Sequence, residues 1–229
     1  MVEKKSNKTE KDIIINEINK IQVTKPQFEG MIIHNPTDLK VISQDKRHVI
    51  IEIDENHWAT YYVNEEKAEK EFQALQMGAS RGITPVVYGR RGTYVVIEAI
   101  QAPTIADYLK NNSMTKELTK KLLGLLNDFK DVGFNRLDHP LTNIYVMQDG
   151  SLKVINLQWD TKFPQNLFPR KMIVGMGKQA SAFLKYVQAL EPSLYKTWTT
   201  HHKFTSTIEK AKLGGNKQEV FDINEGSHD

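Results

Sequence analysis

The chain has 229 residues, with 31 basic and 28 acidic side chains and a net charge of +3. This length suits one sizeable domain or two small lobes. The near balance of charge argues against binding to nucleic acid or to an anionic membrane. The absence of cysteine excludes disulfides, thiol catalysis and thiolate metal sites. No apolar run approaches the roughly 20 residues of a transmembrane helix, and the N-terminus lacks the apolar part of a secretory signal, so the expected location is the cytoplasm.

Residues 1–30 are predicted to form an N-terminal extension. Thr9–Asp12 has the pattern of a capping box that opens a short helix. Ile14, Ile18 and Ile21 would lie on one face of that helix. We expect this face to pack against the domain that follows.

From residue 31 the pattern becomes that of β-strands, and a first domain is predicted over residues 31–97. Short apolar or alternating segments separated by polar turns predict a three-stranded antiparallel meander, then a helix, then two more strands. The predicted strands lie at residues 39–42, 48–53, 58–63, 85–88 and 93–97, and the helix at residues 65–77.

A second, mainly helical domain is predicted over residues 98–202. Its strongest helix runs from Thr115 to Val132, because Thr115 can cap it, a leucine-rich face follows and Gly133 comes directly after its end. Residues 203–229 lose helical periodicity and are predicted to be a loose tail.

Within this second domain, residues 136–156 combine a loop, two strands and a tight turn. The strands Asn143–Val146 and Leu152–Ile155 are rich in β-branched and aromatic residues. Asp149-Gly150 between them is typical of a hairpin, because glycine accepts the positive φ that such a turn needs. The hairpin should bring the polar residues at its two ends close together.

Those polar residues are Asp138, Asn143 and Asn156, and their spacing resembles that of the protein kinase-like superfamily. In that superfamily a catalytic Asp is followed five residues later by Asn, then by a hairpin and by Asp-Phe-Gly. Asp138 and Asn143 keep this step, whereas Asn156 stands at the position of the metal-binding Asp. The resemblance implies that Asp138 is the catalytic base and that Asn143 and Asn156 hold the metal positions.

The resemblance covers roughly residues 35–200 and is greatest to small bacterial serine/threonine kinase-like proteins. It implies an α+β, two-lobed fold with a five-stranded antiparallel N-lobe, one N-lobe helix and a reduced helical C-lobe. ATP and Mg²⁺ are the cofactors of such proteins. It also implies a nucleotide pocket with a roof, a back wall, a floor and a hinge whose backbone bonds adenine. These positions are Val49 or Ile51 and Ala59 in the roof, Ile97 in the back wall, Glu98 and Ala99 in the hinge, and Tyr145 in the floor.

Three parts of the phosphoryl-transfer machinery depart from the family pattern. The turn Ser43–Arg47 has no glycine to admit phosphate, and Tyr61 (or Thr60, one residue away) replaces the lysine that would pair with Glu71. Asn156 offers Mg²⁺ a neutral oxygen instead of a carboxylate. Removing one electrostatic contact to the transition state costs about 3–4 kcal/mol, so three losses disfavour both ATP–Mg²⁺ binding and turnover.

The sequence therefore predicts a pseudokinase that acts as a regulatory or binding scaffold for a protein partner. The alternative is an active, atypical serine/threonine protein kinase that transfers the ATP γ-phosphate with Asp138 as base. A small-molecule phosphotransferase, suggested by His139-Pro140, and a non-kinase α+β binding module are further alternatives.

Overall fold

In the computed structural model of the protein, the described residues are 15–25, 31–44, 48–134, 138–157 and 168–214. The chain forms two compact units. Unit 1 comprises Met1–Gln101 and Lys153–Thr161, and unit 2 comprises Ala102–Leu152 and Lys162–Asp229. The predicted α+β class, with a five-stranded antiparallel sheet and several helices, is confirmed. In the described part of the chain, no helix is long and apolar enough to cross a bilayer.

The first described elements of unit 1 are a short helix and a small hairpin. Residues 15–20 are helical (α1), and β1 (Gln22–Thr24) pairs antiparallel with β2 (Ile32–His34). Ile18 and Ile21 are buried, as the helical pattern predicted. The predicted capping box at Thr9–Asp12 and Ile14 lie outside the described residues. The hairpin was not predicted, because three-residue strands are too short to show a periodic pattern.

The main sheet of unit 1 has the strand order β3-β4-β5-β7-β6, with every neighbouring pair antiparallel. The predicted meander forms its first three strands, and the last two strands form a hairpin. Its strands are β3 (Lys40–Gln44), β4 (His48–Asp54), β5 (His57–Tyr62), β6 (Val87–Arg91) and β7 (Tyr94–Glu98).

Successive residues of a strand point to opposite sides of a sheet, and here the two sides differ in chemistry. The side that carries Val49, Ala59 and Tyr61 is hereafter the apolar face. The opposite side carries His48, Thr60 and Tyr62 beside the buried Ile50 and Val95, and is hereafter the polar face; His48 is the cross-strand partner of Tyr62. The buried cluster on the apolar face consists of Ile18, Ile21, Met31, Val49, Ile51, Ala59, Tyr61 and Tyr94.

The single helix of the sheet region, α2 (Glu65–Ala79), follows β5 as predicted. It begins after Asn64, whose side chain accepts a hydrogen bond from the amide of Lys67. Near its end Gly78 packs closely on Thr84, because a Cβ at position 78 would lie 2.4 Å from the Thr84 methyl carbon. This close approach brings the chain directly from the helix towards β6.

Unit 2 is mainly helical. Thr104 caps α3 (Ile105–Asn111), and Thr115 caps α4 (Lys116–Val132) by accepting from the amide of Leu118. Gly133 ends α4 in the left-handed conformation, with φ of +87°, as glycine at this position predicts. The remaining helices are α5 (Arg170–Gly175), α6 (Ala180–Leu190), α7 (Pro192–Thr199) and α8 (Phe204–Lys212).

Helix α8 corrects the prediction that residues 203–229 form a loose tail, at least as far as residue 214. Thr207 and Ala211, four residues apart, are buried on one side of it. The ring of Phe204 lies 6.2 Å from that of Phe168, and α8 packs against α5. Its buried side is built from small residues, which a search for large apolar side chains does not detect. Residues 215–229 lie outside the described part of the chain.

The predicted strands and turn of the central stretch are present. A 3-10 turn over Leu141–Asn143 leads into β8 (Ile144–Val146), and β9 (Leu152–Val154) follows the turn. The amide of Met147 donates to the carbonyl of Ser151 over 2.9 Å. Gly150 has the positive φ expected, at +76°, and its carbonyl accepts from Lys121 Nζ over 2.6 Å.

Candidate functional site

The residues predicted to form the site divide between the two units. Those in unit 1 are Val49, Ala59, Tyr61, Glu71, Ile97, Glu98, Ala99 and Asn156, and those in unit 2 are Asp138, Asn143 and Tyr145. Of the glycine-free turn Ser43–Arg47, only the first two residues are described, and they end β3. The other three lie outside the described residues.

Tyr61 does not lie where the family resemblance placed it. Its side chain is 2% exposed on the apolar face, and its hydroxyl donates to the carbonyl oxygen of Ile18 over 2.7 Å. Burial, together with neighbouring Tyr94, raises the pKa of Tyr61 well above its usual range. Tyr61 therefore packs the N-terminal segment onto the sheet and does not stand in for the lysine facing Glu71.

The predicted roof residues, Val49 or Ile51 and Ala59, share this correction. All three are fully buried in the same cluster, which residues 18, 21 and 31 help to form. Because the N-terminal segment completes this cluster, their side chains do not line an open nucleotide pocket. The physical reason is that neighbouring residues of a strand point to opposite faces of the sheet, so a shift of one residue moves a side chain to the other face.

The polar face carries a hydrogen-bonded network that includes one predicted site residue, Asn156. The amide nitrogen of Asn156 donates to Nε2 of His48 over 3.0 Å. Its amide oxygen lies 3.5 Å from the hydroxyl of Tyr62, which donates to it at the long end of the hydrogen-bond range. Both ends of the Asn156 side chain therefore contact β4 and β5.

Glu71 joins the same network from helix α2. Its carboxylate, 0% exposed, accepts a hydrogen bond of 3.1 Å from the backbone amide of Leu157. The preceding residue, Asn156, has a φ of +61°, a left-handed conformation that asparagine adopts more readily than most residues. Glu71 thus holds the backbone directly after Asn156.

This arrangement does not fit a magnesium site at Asn156. Mg²⁺ is usually bound through one or two carboxylates and substrate phosphates, whereas Asn156 supplies a neutral oxygen that already accepts from Tyr62. Within the described ranges, no group of three or more His, Cys, Asp or Glu side chains is placed to hold a metal ion.

Thr60, the alternative to Tyr61 in the lysine position, does lie on the polar face. It is buried, and its hydroxyl finds no hydrogen-bond partner among the described residues. A hydroxyl cannot supply the positive charge of a lysine. The residue of β5 whose side chain contacts Asn156 is Tyr62.

The predicted hinge amides are already hydrogen-bonded within unit 1. The amide of Glu98 donates to the carbonyl of Val86, and that of Ala99 to the carbonyl of Asn56, both over 2.8 Å. The Glu98 carboxylate accepts from Lys153 Nζ over 2.6 Å. Burial tends to raise the pKa of Glu98, but hydrogen bonds from Lys153 and the Val86 amide outweigh it and lower that pKa. Ile97, the predicted back wall, is buried in β7.

In unit 2, Asp138 stabilises a helix. It is 7% exposed, and its Oδ1 accepts a hydrogen bond of 2.5 Å from the backbone amide of Lys171 in the first turn of α5. A carboxylate is favourable there because the first amides of a helix lack intrahelical acceptors. Asn143, at the end of the 3-10 turn, is also buried, and its backbone amide donates to the carbonyl of Pro140 over 3.0 Å.

Two further residues near this loop are packed into unit 2. Tyr145, the predicted floor, is largely buried in β8 and forms a bridge with Thr104. Burial and the charge of Asp107 raise the pKa of Tyr145 to about 12. His139 meets the ring of Phe129 edge-on at 5.1 Å, so the feature that suggested a small-molecule phosphotransferase is a buried aromatic contact.

The sequence reasoning missed His48 and Tyr62. The available signal was the pairing of β4 with β5, since His48 and Tyr62 are cross-strand neighbours and share a face with Thr60. It was concealed because β5 has large apolar or aromatic side chains on both faces, so alternation did not indicate which face was polar.

Comparisons with known proteins give a limited result. No protein-family model matches the chain, and no curated protein matches it. Among solved structures, the chain is similar to WbdD in its co-crystal structure with the kinase inhibitor LY294002, at 13% identity and a TM-score of 0.47. The match covers 80% of this chain and 47% of that one, so this chain spans about half the length of WbdD in that structure. At this identity and score the likeness says nothing about activity.

Proposed function

We propose that this chain is a kinase-like protein that does not transfer phosphate efficiently and acts as a regulatory or binding scaffold for a protein partner. The observation that carries the proposal is the bonding of Asn156. The family resemblance matches it to the metal-binding Asp, and both ends of its side chain are engaged with His48 and Tyr62.

The same network gives a reason to expect that ATP–Mg²⁺ binds only weakly. Tyr62, which contacts Asn156, is uncharged, so this contact supplies no cation for the phosphates. Each missing electrostatic contact costs about 3–4 kcal/mol of transition-state stabilisation. The hinge amides of Glu98 and Ala99 would also have to leave their present acceptors before bonding adenine.

The direct test is a calorimetric titration of the full chain with ATP, with and without Mg²⁺ or Mn²⁺. We expect no metal-dependent increase in affinity, because position 156 supplies no carboxylate. Tight, metal-dependent binding of ATP would contradict the proposal.

An active, atypical serine/threonine kinase is the second candidate, favoured by Asp138 and Asn143, which keep the family's five-residue step. The test is autophosphorylation in the presence of ATP and Mg²⁺ or Mn²⁺. Asp138→Ala alone is a poor probe, because it also removes the acceptor for the amide of Lys171.

Asp138→Asn is the better variant, because it keeps an acceptor oxygen for that amide while removing the base. If the wild type incorporates phosphate and Asp138→Asn abolishes this without a large change in melting temperature, the active-kinase alternative is correct. If the wild type incorporates none, the scaffold proposal is supported.

A further inference from the structure

The turn that joins α7 to α8 contains two adjacent histidines, His201 and His202. The ring of His201 stacks on that of Phe168, with centroids 4.6 Å apart and planes inclined by 27°. It also stacks on the ring of His202, at 4.5 Å and 26°. His201 is partly exposed and His202 is exposed, so both rings can exchange protons with solvent.

One hydrogen bond in this turn requires His201 to be neutral. Its Nδ1 accepts from the backbone amide of Lys203 over 3.2 Å. An imidazole nitrogen accepts a hydrogen bond only when it carries no proton, so the proton of the neutral ring is on Nε2. A protonated ring has an N–H group at both nitrogens, and its Nδ1 would then point a donor at the donor of Lys203.

This bond fixes the residue from which α8 begins. Lys203 is the N-cap of α8 and makes no side-chain capping bond. Its carbonyl accepts from the amide of Thr207 over 3.0 Å and from the Thr207 hydroxyl over 2.7 Å. The carbonyl of His201 accepts from the amide of Phe204 over 2.8 Å. His201 therefore connects the α7–α8 turn to the first turn of α8.

Helix α8 buries little apolar area of its own. Its buried residues are Thr207 and Ala211, and the ring of Phe204 lies 6.2 Å from that of Phe168. Small side chains contribute less free energy on burial than large ones do. Loss of a contact at the start of α8 should therefore appear as local opening of this helix.

The charges around His201 oppose its protonation. Burial, followed by the charges of His202 and Lys203, lowers the pKa of His201. The elements packed against the turn add further cations: Arg170 and Lys171 in α5, Lys178 in the 3-10 turn after it, and Lys196 in α7.

Carboxylates that could stabilise a protonated His201 are not bonded to it. Asp138 accepts from the amide of Lys171, and Glu191 and Glu209 are exposed. Within the described part of unit 2, none of the three forms an ion pair with His201. The ring of Phe168 would attract an imidazolium, but that imidazolium would lose the Lys203 amide and face two neighbouring cations.

We propose that this turn is an acid-sensitive contact, in which protonation of His201 breaks its hydrogen bond to the Lys203 amide and increases the local opening of α8. The closed helix favours the neutral ring, whereas solvent accommodates either form when α8 opens. The stabilisation is therefore complete above a pH of about 6.5, the ordinary pKa of histidine, and is lost as the pH falls below it. It does not depend on whether the chain transfers phosphate.

The test combines a histidine titration with native-state hydrogen exchange, both by NMR on the full chain. We expect the ring of His201 to titrate at a lower pH than that of His34, an exposed histidine in β2. Protection factors, which correct for the intrinsic pH dependence of exchange, should fall at the α8 amides between about pH 7.5 and about pH 5. The expected fall is about two- to tenfold, the contribution of one hydrogen bond. The amides of α4 should change less.

Two variants separate His201 from the other groups that titrate in acid. His201→Asn keeps an acceptor oxygen close to the place of Nδ1 but cannot be protonated in this range, so the response of α8 to acid should disappear. His34→Asn removes an exposed histidine of unit 1 and should respond as the wild type does. Titration of His201 at or above the pH of His34, unchanged protection of α8 in acid, or an equal acid response in His201→Asn would each overturn the proposal.

Discussion

The two faces of the five-stranded sheet are built from neighbouring residues but are closed in different ways. On the apolar face, the N-terminal segment contributes aliphatic side chains, and the hydroxyl of Tyr61 bonds to the backbone of Ile18. On the polar face, Tyr62, His48 and Asn156 form a network of side-chain hydrogen bonds. Tyr61 and Tyr62 are adjacent in β5, yet Tyr61 packs in the apolar cluster and Tyr62 belongs to the hydrogen-bonded network.

The difference shows why a shift of one residue along a strand matters. Ala59 and Tyr61, the residues matched to the family's alanine and lysine, both belong to the apolar face. Thr60 and Tyr62 belong to the other face, because one step along a strand exchanges the two faces of a sheet. The substitutions below test how much the contacts on each face contribute to the free energy of unfolding.

The largest effect is expected from Tyr61→Ala on the apolar face. Removing a fully buried ring leaves a cavity in the cluster, and such changes cost about 3–5 kcal/mol. Chemical denaturation would measure the loss. Tyr88→Ala is the matched control, because Tyr88 is 54% exposed, and its effect should be small. Similar losses for both variants would show that the apolar face is not closed as described.

Glu71→Ala should be the next most destabilising, by about 2–3 kcal/mol, because the buried amide of Leu157 loses its acceptor. The measurement is again the free energy of unfolding. Glu66→Ala on the same helix is the control, since its side chain is 70% exposed and surface ion pairs contribute about 0–1 kcal/mol. If Glu71→Ala costs no more than Glu66→Ala, the polar face does not depend on this hydrogen bond.

Asn156→Asp should cost about 1–2 kcal/mol at neutral pH, because it removes the donor to His48 and adds a charge to a buried network. The left-handed backbone accepts either residue, so the loss reports on the network alone. Asn127→Asp on the exposed side of α4 provides the control. A gain in stability for Asn156→Asp on adding Mg²⁺ and ATP would show that the polar face can be converted into a metal site.

The smallest effect is expected from alkaline titration of the apolar face. Because burial raises the pKa of Tyr61 in the folded state, the unfolded chain loses its phenolic proton first. The free energy of unfolding should therefore fall as the pH rises above about 10. Tyr61→Phe should cost about 1 kcal/mol at neutral pH and show a shallower alkaline decline. An unchanged decline would indicate that Tyr61 ionises freely in the folded protein.

Much of the secondary structure could be predicted from the sequence, because local signals determine it. Thr115 caps its helix as expected, and Gly133 and Gly150 have the positive φ that ends a helix or closes a turn. These signals depend on a few neighbouring residues and do not require knowledge of tertiary packing.

The candidate site could be predicted only in part, because it depends on tertiary contacts. Asn156 was identified from spacing, but its partners His48 and Tyr62 are 108 and 94 residues away in the chain. Asp138 was predicted to be a base, and its bond to the amide of Lys171 becomes visible only once α5 is placed. Pattern and spacing do not report such distant contacts.

The cover that α1 and the following segment provide for the sheet has a practical consequence. A shortened chain that began at residue 31 would leave Val49, Ile51 and Ala59 without Ile18 and Ile21 as neighbours. Water would then reach a continuous aliphatic surface, and such surfaces promote aggregation. Removal of residues 1–30 should therefore yield a protein that self-associates and elutes early in size-exclusion chromatography, whether or not it transfers phosphate.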